Sequence, residues 1–324
     1  MTSSPPHRQA RGEPPTAQGS GPGPHVVPGD PVVPAGPVTA GPLTVAGPAG
    51  PIDCLVTGSG RPVTVFVHGL TGSIAQTRPF GSGVTGSRVF VHLRGHGGTR
   101  VPPAPDGTPA PGGYREAAAD VAAVVAATGA GAAVGISFGA GALLALLGTG
   151  ATPLRRLVLC LPPSAPADLD GGAPSGDARR ANPGPGDAVR AGFATMADAL
   201  DAGDVEALAR ALRGHQPDAV RRSPAVQLWA RRHAADLVAG RENGLAVVLR
   251  AWPGLPVPAI GPGVPGSLPA ILVLAQRDDP VHPLPAAEHW ARLLGAGLEV
   301  LAAGGLPWSE RDRARDLIAG HLNG

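Results

Sequence analysis

The chain has 324 residues, enough for one large domain or two ordinary ones, and 43% of them are hydrophobic, so a sizeable core is available even though aromatics make up only 3%. Lysine is absent: all 26 basic residues are Arg, set against 24 acidic residues for a net charge of +2, and no basic stripe is interleaved with aromatics, which leaves nucleic-acid binding without support. Cys54 and Cys160 both lie in apolar runs and read as buried thiols rather than a disulfide framework, compatible with a reducing cytoplasm.

Residues 1–40 are rich in Pro, Gly, Ser and Thr without apolar periodicity and read as a disordered tail, with no charged segment followed by an apolar one as a secretory signal would require. After about residue 42 the texture changes to short β-branched runs that end in glycine. Strands are expected at 51–60, 62–70 and 87–98, then a helix over 114–129 with an acidic first turn and a terminal glycine. A strand over 132–137 leads into a helix over 138–148, and another strand follows at 154–163. The run from Val121 to Leu154 carries no charge and is long enough to span a membrane, but glycines cut it at helix and strand lengths, so a buried helix–strand–helix is the better reading.

Residues 164–256 interrupt the alternation with amphipathic helices near 187–204, 204–215 and 225–240, read as a helical cap inserted over the sheet. The alternation resumes with a strand at 269–280, a helix at 283–297, a strand at 298–305 and a helix at 308–322, for which Ser309 and Asp312 resemble an N-terminal cap. Strands alternating with helices of these lengths form βαβ units, so the fold class is α/β with a mostly parallel central sheet and helices on both faces. The core is then 41–163 with 257–324, and the cap is 164–256.

The stretch Gly135-Ile136-Ser137-Phe138-Gly139 matches G-x-S-x-G. In a chain with 49 glycines and 13 serines the pattern is expected by chance roughly 0.3 times, so the match alone decides little. Its setting decides more: a strand enters Ser137 and a helix leaves it, the arrangement that lifts a nucleophilic hydroxyl above the sheet edge.

Four segments then resemble the α/β-hydrolase superfamily in order and spacing: FVHGLTG (66–72), RGHGGT (94–99), GISFGAG (135–141) and RDDPVHP (277–283). The resemblance covers about residues 43–322. It implies a serine nucleophile at Ser137 and an oxyanion hole formed by the backbone N–H groups of Leu70 and Phe138, with His68 a structural turn residue and the loop from Arg94 to Gly97 free of chemistry. It implies a catalytic acid at Asp279, with Asp278 as runner-up. The family's histidine follows the last strand, and there the chain reads Ala303-Gly304-Gly305-Leu306-Pro307-Trp308, with Leu306 at the expected place. Leucine cannot accept a proton from Ser137. Of the ten histidines, His282 is the substitute to consider, just past the strand that carries Asp279.

Two readings follow. One is a cytoplasmic serine hydrolase acting on a carboxylic ester, lactone or thioester, with catalytic Ser137, Asp279 and His282. The other is a hydrolase-like small-molecule binding protein without turnover, because Leu306 occupies the histidine position; hydrolase-fold lyase chemistry is a weaker third. No metal-ligand cluster, phosphate loop or dinucleotide fingerprint stands out, so no cofactor and no metal are expected, and the partner is a small-molecule substrate rather than nucleic acid or a membrane. Leu228, Trp229 and Trp252 suggest an apolar acyl or ring pocket, or equally the core of the cap.

Overall fold

The computed structural model describes residues 1–2, 38–150, 152–164, 185–253, 255, 260 and 268–324. The segment read as a disordered tail therefore lies almost wholly outside the described residues, as does part of the expected cap. Eight strands form one sheet in the order β1-β2-β4-β3-β5-β6-β7-β8. They are β1 (Gly41–Gly47), β2 (Gly50–Thr57), β3 (Val63–Val67), β4 (Ser87–Val91), β5 (Ala132–Ile136), β6 (Arg156–Cys160), β7 (Ala270–Gln276) and β8 (Gly297–Leu301). The first two form a hairpin that pairs antiparallel with β4, and all later pairings are parallel.

The central strands are apolar on both faces, as strands covered on both sides must be. Alternate positions sort cleanly into two cores. Val65, Val67, Val89, Val91, Leu157, Leu159 and Val273 face the larger one. Phe66, Phe90, Val134, Val158, Cys160, Leu272 and Leu274 face the smaller. Helices α2 (Tyr114–Thr128) and α3 (Phe138–Gly148) pack into the larger core, joined by Ala287, Trp290 and Leu294 of α9 (Leu284–Leu294). Ala314, Ile318 and Leu322 of α10 (Arg311–Asn323) close the smaller one. The charge-free run is thus the end of α2, β5 and α3, and among the described residues no helix is long and apolar enough to cross a membrane.

Between β6 and β7 the described chain carries α4 (Pro185–Asp201), α5 (Val205–Gly214), α6 (Asp218–Arg221), α7 (Pro224–Ala239) and α8 (Leu245–Ala251). Two of these, α6 and α8, have no counterpart in the sequence reading, nor do β1 and the short α1 (Ile74–Thr77). The last helix also starts later than expected. It begins at Arg311 after Glu310, because Gly305–Ser309 forms a π-helical turn, so Ser309 ends that turn and caps nothing.

Two glycines let the sheet approach α3. A Cβ on Gly139 would lie 2.5 Å from the Val67 carbonyl oxygen, and one on Gly135 would lie 2.5 Å from the Gly139 carbonyl oxygen. Both neighbours are backbone and cannot rotate away. Gly139→Ala is expected to cost about 1–3 kcal/mol of stability, measured by denaturant unfolding, and to lower activity by displacing the adjoining turn.

Candidate active site

Ser137 sits between the end of β5 and the first residue of α3 with φ 53° and ψ −116°. A non-glycine residue in this region is strained and is held there only by its surroundings. The Ser137 N–H donates to the Cys160 carbonyl at the end of β6 (2.8 Å), and its carbonyl accepts from Gly141 N–H (3.1 Å). The strain turns the hydroxyl out of the strand.

The hydroxyl meets an imidazole. His282 Nε2 lies 2.8 Å from Ser137 Oγ, and His282 Nδ1 lies 3.1 Å from Asp279 Oδ2. Asp279 also accepts from the Val281 and His282 backbone N–H groups at Oδ1 (2.8 and 2.9 Å) and from Gln276 Nε2 at Oδ2 (2.6 Å). Burial pushes the Asp279 carboxyl up, but the adjacent His282 charge and the hydrogen bonds from His282 and Val281 outweigh it and hold the pKa at about 2. An ionised carboxylate only accepts, so Nδ1 carries the imidazole proton and Nε2 is left to accept from the serine hydroxyl. The runner-up acid, Asp278, is an exposed residue at φ 52° whose kink turns the chain so that Asp279 points inward.

Opposite Ser137 lies the turn from Gly69 to Gly72, closed by the Gly72 N–H to Gly69 carbonyl bond (2.9 Å). A Cβ on Gly69 would be 2.9 Å from Ser137 Cβ, so this backbone lies directly against the serine. Leu70 is the first central residue of the turn, and its N–H is not the one that closes it. Phe138 begins α3, so its N–H has no acceptor within the helix. His68 does what a turn histidine should: Nδ1 donates to the Gly69 carbonyl (2.7 Å) and Nε2 accepts from Leu93 N–H (3.1 Å). Burial, then the neighbouring His96 charge, lower its pKa well below the ordinary histidine value, so it stays neutral. The Arg94 loop is likewise structural, with Arg94 Nε bonded to buried Asp120 at 2.8 Å.

A cavity of about 380 Å³ opens above Ser137 and His282. Its walls are mostly apolar: Leu70 and Phe80 from the core, Phe193, Met196 and Trp229 from the inserted helices, and Leu306 from the π-helical turn. Leu306, at the place where the histidine is expected, thus lines the same cavity as a buried wall residue. Of the three apolar residues singled out in the insertion, only Trp229 lines the cavity. Leu228 is exposed, and Trp252 is buried in a stack on Phe138 (centroids 3.8 Å apart).

Sequence reasoning missed three residues here. His233 of α7 bonds the Thr71 carbonyl (2.5 Å), tying the insertion to the turn beside Ser137. His215, at the end of α5, lines the cavity, and burial, then the His282 charge, lower its pKa to about 4. Gln276 reaches Asp279. Its one signal is a polar residue ending the apolar run AILVLAQ; the two histidines give none, since helical spacing fits packing equally well.

Comparisons with known proteins bear on the fold that carries these residues. A family model described as the alpha/beta hydrolase family matches residues 64–319. Among solved structures, an enol-lactonase from Burkholderia xenovorans has a TM-score of 0.65 at 17% identity, covering 87% of this chain and 100% of that one. A thermophilic esterase from Thermogutta terrifontis has a TM-score of 0.63 at 18% identity, covering 88% and 98%. A structure from work on epoxide hydrolases in metagenomes of hot environments has a TM-score of 0.63 at 20% identity, covering 89% and 100%. No curated protein matches the sequence. With the fold, the sheet order and the matched span in agreement, the chain belongs to the alpha/beta hydrolase family.

Proposed function

We propose that this protein is a serine hydrolase of carboxylic esters, lactones or thioesters, with Ser137 as nucleophile, His282 as general base and Asp279 as its orienting acid. The observation that carries the reading is the continuous chain Ser137 Oγ to His282 Nε2 (2.8 Å) and His282 Nδ1 to Asp279 Oδ2 (3.1 Å). The proposed base stands three residues after the proposed acid on one loop, so this reading needs no histidine at the position of Leu306.

His282 takes the hydroxyl proton as Ser137 Oγ attacks the acyl carbon. The Leu70 and Phe138 N–H groups stabilise the oxyanion, and losing such a donor costs about 10²–10³ in rate. As the tetrahedral adduct collapses, His282 returns the proton to the leaving alcohol or thiol and an acyl-serine remains. Water then attacks that ester with His282 again as base, releasing the acid and restoring the serine. The helices between β6 and β7 act as a cap, whose Phe193, Met196 and Trp229 favour an apolar acyl or ring group. The two free buried cysteines suit a reducing compartment, and the cytoplasm is the proposed location.

The test is steady-state hydrolysis of 4-nitrophenyl esters with acyl chains of increasing length. Turnover of neutral short and medium chains is expected, with Ser137→Ala inactive. Turnover that persists unchanged in Ser137→Ala would refute the assignment. Trp229→Ala is expected to raise KM about tenfold, with a smaller change in kcat, since a large aromatic contributes binding area but no chemistry.

A further inference from the structure

Gln276 is the last residue of β7 and is 3% exposed. Both ends of its amide are engaged. Nε2 donates to Asp279 Oδ2 at 2.6 Å, and Oε1 accepts from the Leu306 N–H at 3.3 Å. The first bond ends on the carboxylate oxygen that His282 Nδ1 also uses. The second holds the π-helical turn whose Leu306, Pro307 and Trp308 line the cavity. One buried side chain therefore spans the kink at Asp278, the acid and a wall of the substrate cavity.

We infer that Gln276 is a positioning residue that fixes the Asp279 carboxylate for His282 and ties that alignment to the cavity wall. The inference rests on the serine-hydrolase reading above. Asp279 accepts four hydrogen bonds, three from its own loop and one from Gln276, and only the last comes from the rigid sheet. Without it the loop sets its own orientation. The amide also places the positive end of its dipole on the oxygen shared with His282, drawing carboxylate charge away from the imidazole. Removing that donor leaves more charge on Oδ2 and favours the imidazolium. The groups that face His282 are Asp279 from its own loop, Ser137 from the β5–α3 turn and His215 from the end of α5, with Arg311 on the wall of the same cavity. None of these changes when Gln276 is replaced, so a shift in the pH profile reports on the Gln276 contact.

The test is the pH profile of kcat/KM for a 4-nitrophenyl ester in the wild type, Gln276→Met and Gln276→Glu. Methionine keeps the length and removes both hydrogen bonds. It is expected to lower kcat about tenfold or more with KM within about threefold, and to move the acid limb up by about half a pH unit. Glutamate keeps the shape but sets a second carboxylate against Asp279, so its acid limb is expected to move further up; it decides the matter if the methionine variant does not fold. Folded variants whose limbs coincide with the wild type would overturn the inference and leave Gln276 as packing alone. His282→Ala with wild-type activity and an intact acid limb would overturn the hydrolase reading together with this inference, whereas an inactive His282→Ala beside unmoved Gln276 limbs overturns this inference only.

Discussion

Replacing His282 with alanine is expected to reduce kcat for ester hydrolysis toward the level left by an oxyanion hole alone, a loss on the order of 10⁶-fold. No other side chain among those described stands ready to take over. His215 is the other histidine of the cavity that sits near this loop, but burial, the largest cause, lowers its pKa, and it packs against Gly192 of α4. His68 already uses both ring nitrogens on backbone groups. The residue at the alternative position, Leu306, has no group that accepts a proton. Removing the imidazole therefore leaves Ser137 as an ordinary alcohol, which is a poor nucleophile near neutral pH. Asp279→Asn should follow with a loss of about 10⁴-fold, because an amide can donate to Nδ1 and reverse the tautomer. The measurement is burst and steady-state kinetics of each variant, with the fold checked by circular dichroism.

The second large effect concerns stability. Arg94→Met is expected to destabilise the protein by about 3–5 kcal/mol, since it strands the buried Asp120 carboxylate without its partner. In the native protein both the Nε and Nη2 of Arg94 lie 2.8 Å from Asp120 Oδ2, and both side chains are 5% exposed. Even so, burial outweighs the arginine and leaves the Asp120 pKa raised. Without the arginine it must rise further. A carboxyl whose folded pKa lies above its unfolded value favours the folded state when protonated. The deficit is therefore small below about pH 4, the unfolded value, and grows as pH increases through the folded pKa. The double substitution Arg94→Met with Asp120→Leu should recover most of the loss, because no unpaired charge remains. Urea unfolding at pH 5 and pH 8 checks all three statements; equal deficits at the two pH values in Arg94→Met would contradict the assignment of the loss to the stranded carboxylate.

Much of this fold is written in the sequence at the level of period. VTVFV, SRVFV and AILVLAQ are apolar at every position but one or two, as strands buried on both faces must be, and each ends at glycine or a polar residue. The turn at Ser137 is legible because small residues at 135 and 139 coincide with a switch from strand to helix period. The hairpin strand β1 is less legible: GPLTVAG carries Pro and two Gly, and its strand character comes from register against Gly50–Val56 rather than from propensity. The inserted helices show why packing is harder to read than secondary structure. Leu228 and Trp229 are neighbours on α7, yet one faces solvent and the other the cavity, a choice set by the tertiary contact with Trp308 and not by the local pattern.

The site divides in the same way. Asp279 and His282 are visible three positions apart in one turn, but their contact depends on Asp278 at φ 52°, a conformation no side-chain pattern announces. The sequence equally hides the reach of His282 to Ser137, 145 positions away, because it depends on β5 and β7 flanking β6 with their ends aligned. Leu306 misleads when it is read as the position of the base. In three dimensions it is a wall, held by Gln276, of the cavity that His282 also lines.

The most direct test of the account is active-site labelling with a fluorophosphonate, followed by mass spectrometry of the adduct, in the wild type, Ser137→Ala and His282→Ala. A single adduct on Ser137 is expected in the wild type, none in Ser137→Ala, and labelling slowed by several orders of magnitude in His282→Ala. Folded wild-type protein that resists the probe, or His282→Ala labelled as fast as wild type, would contradict the claim that His282 activates Ser137.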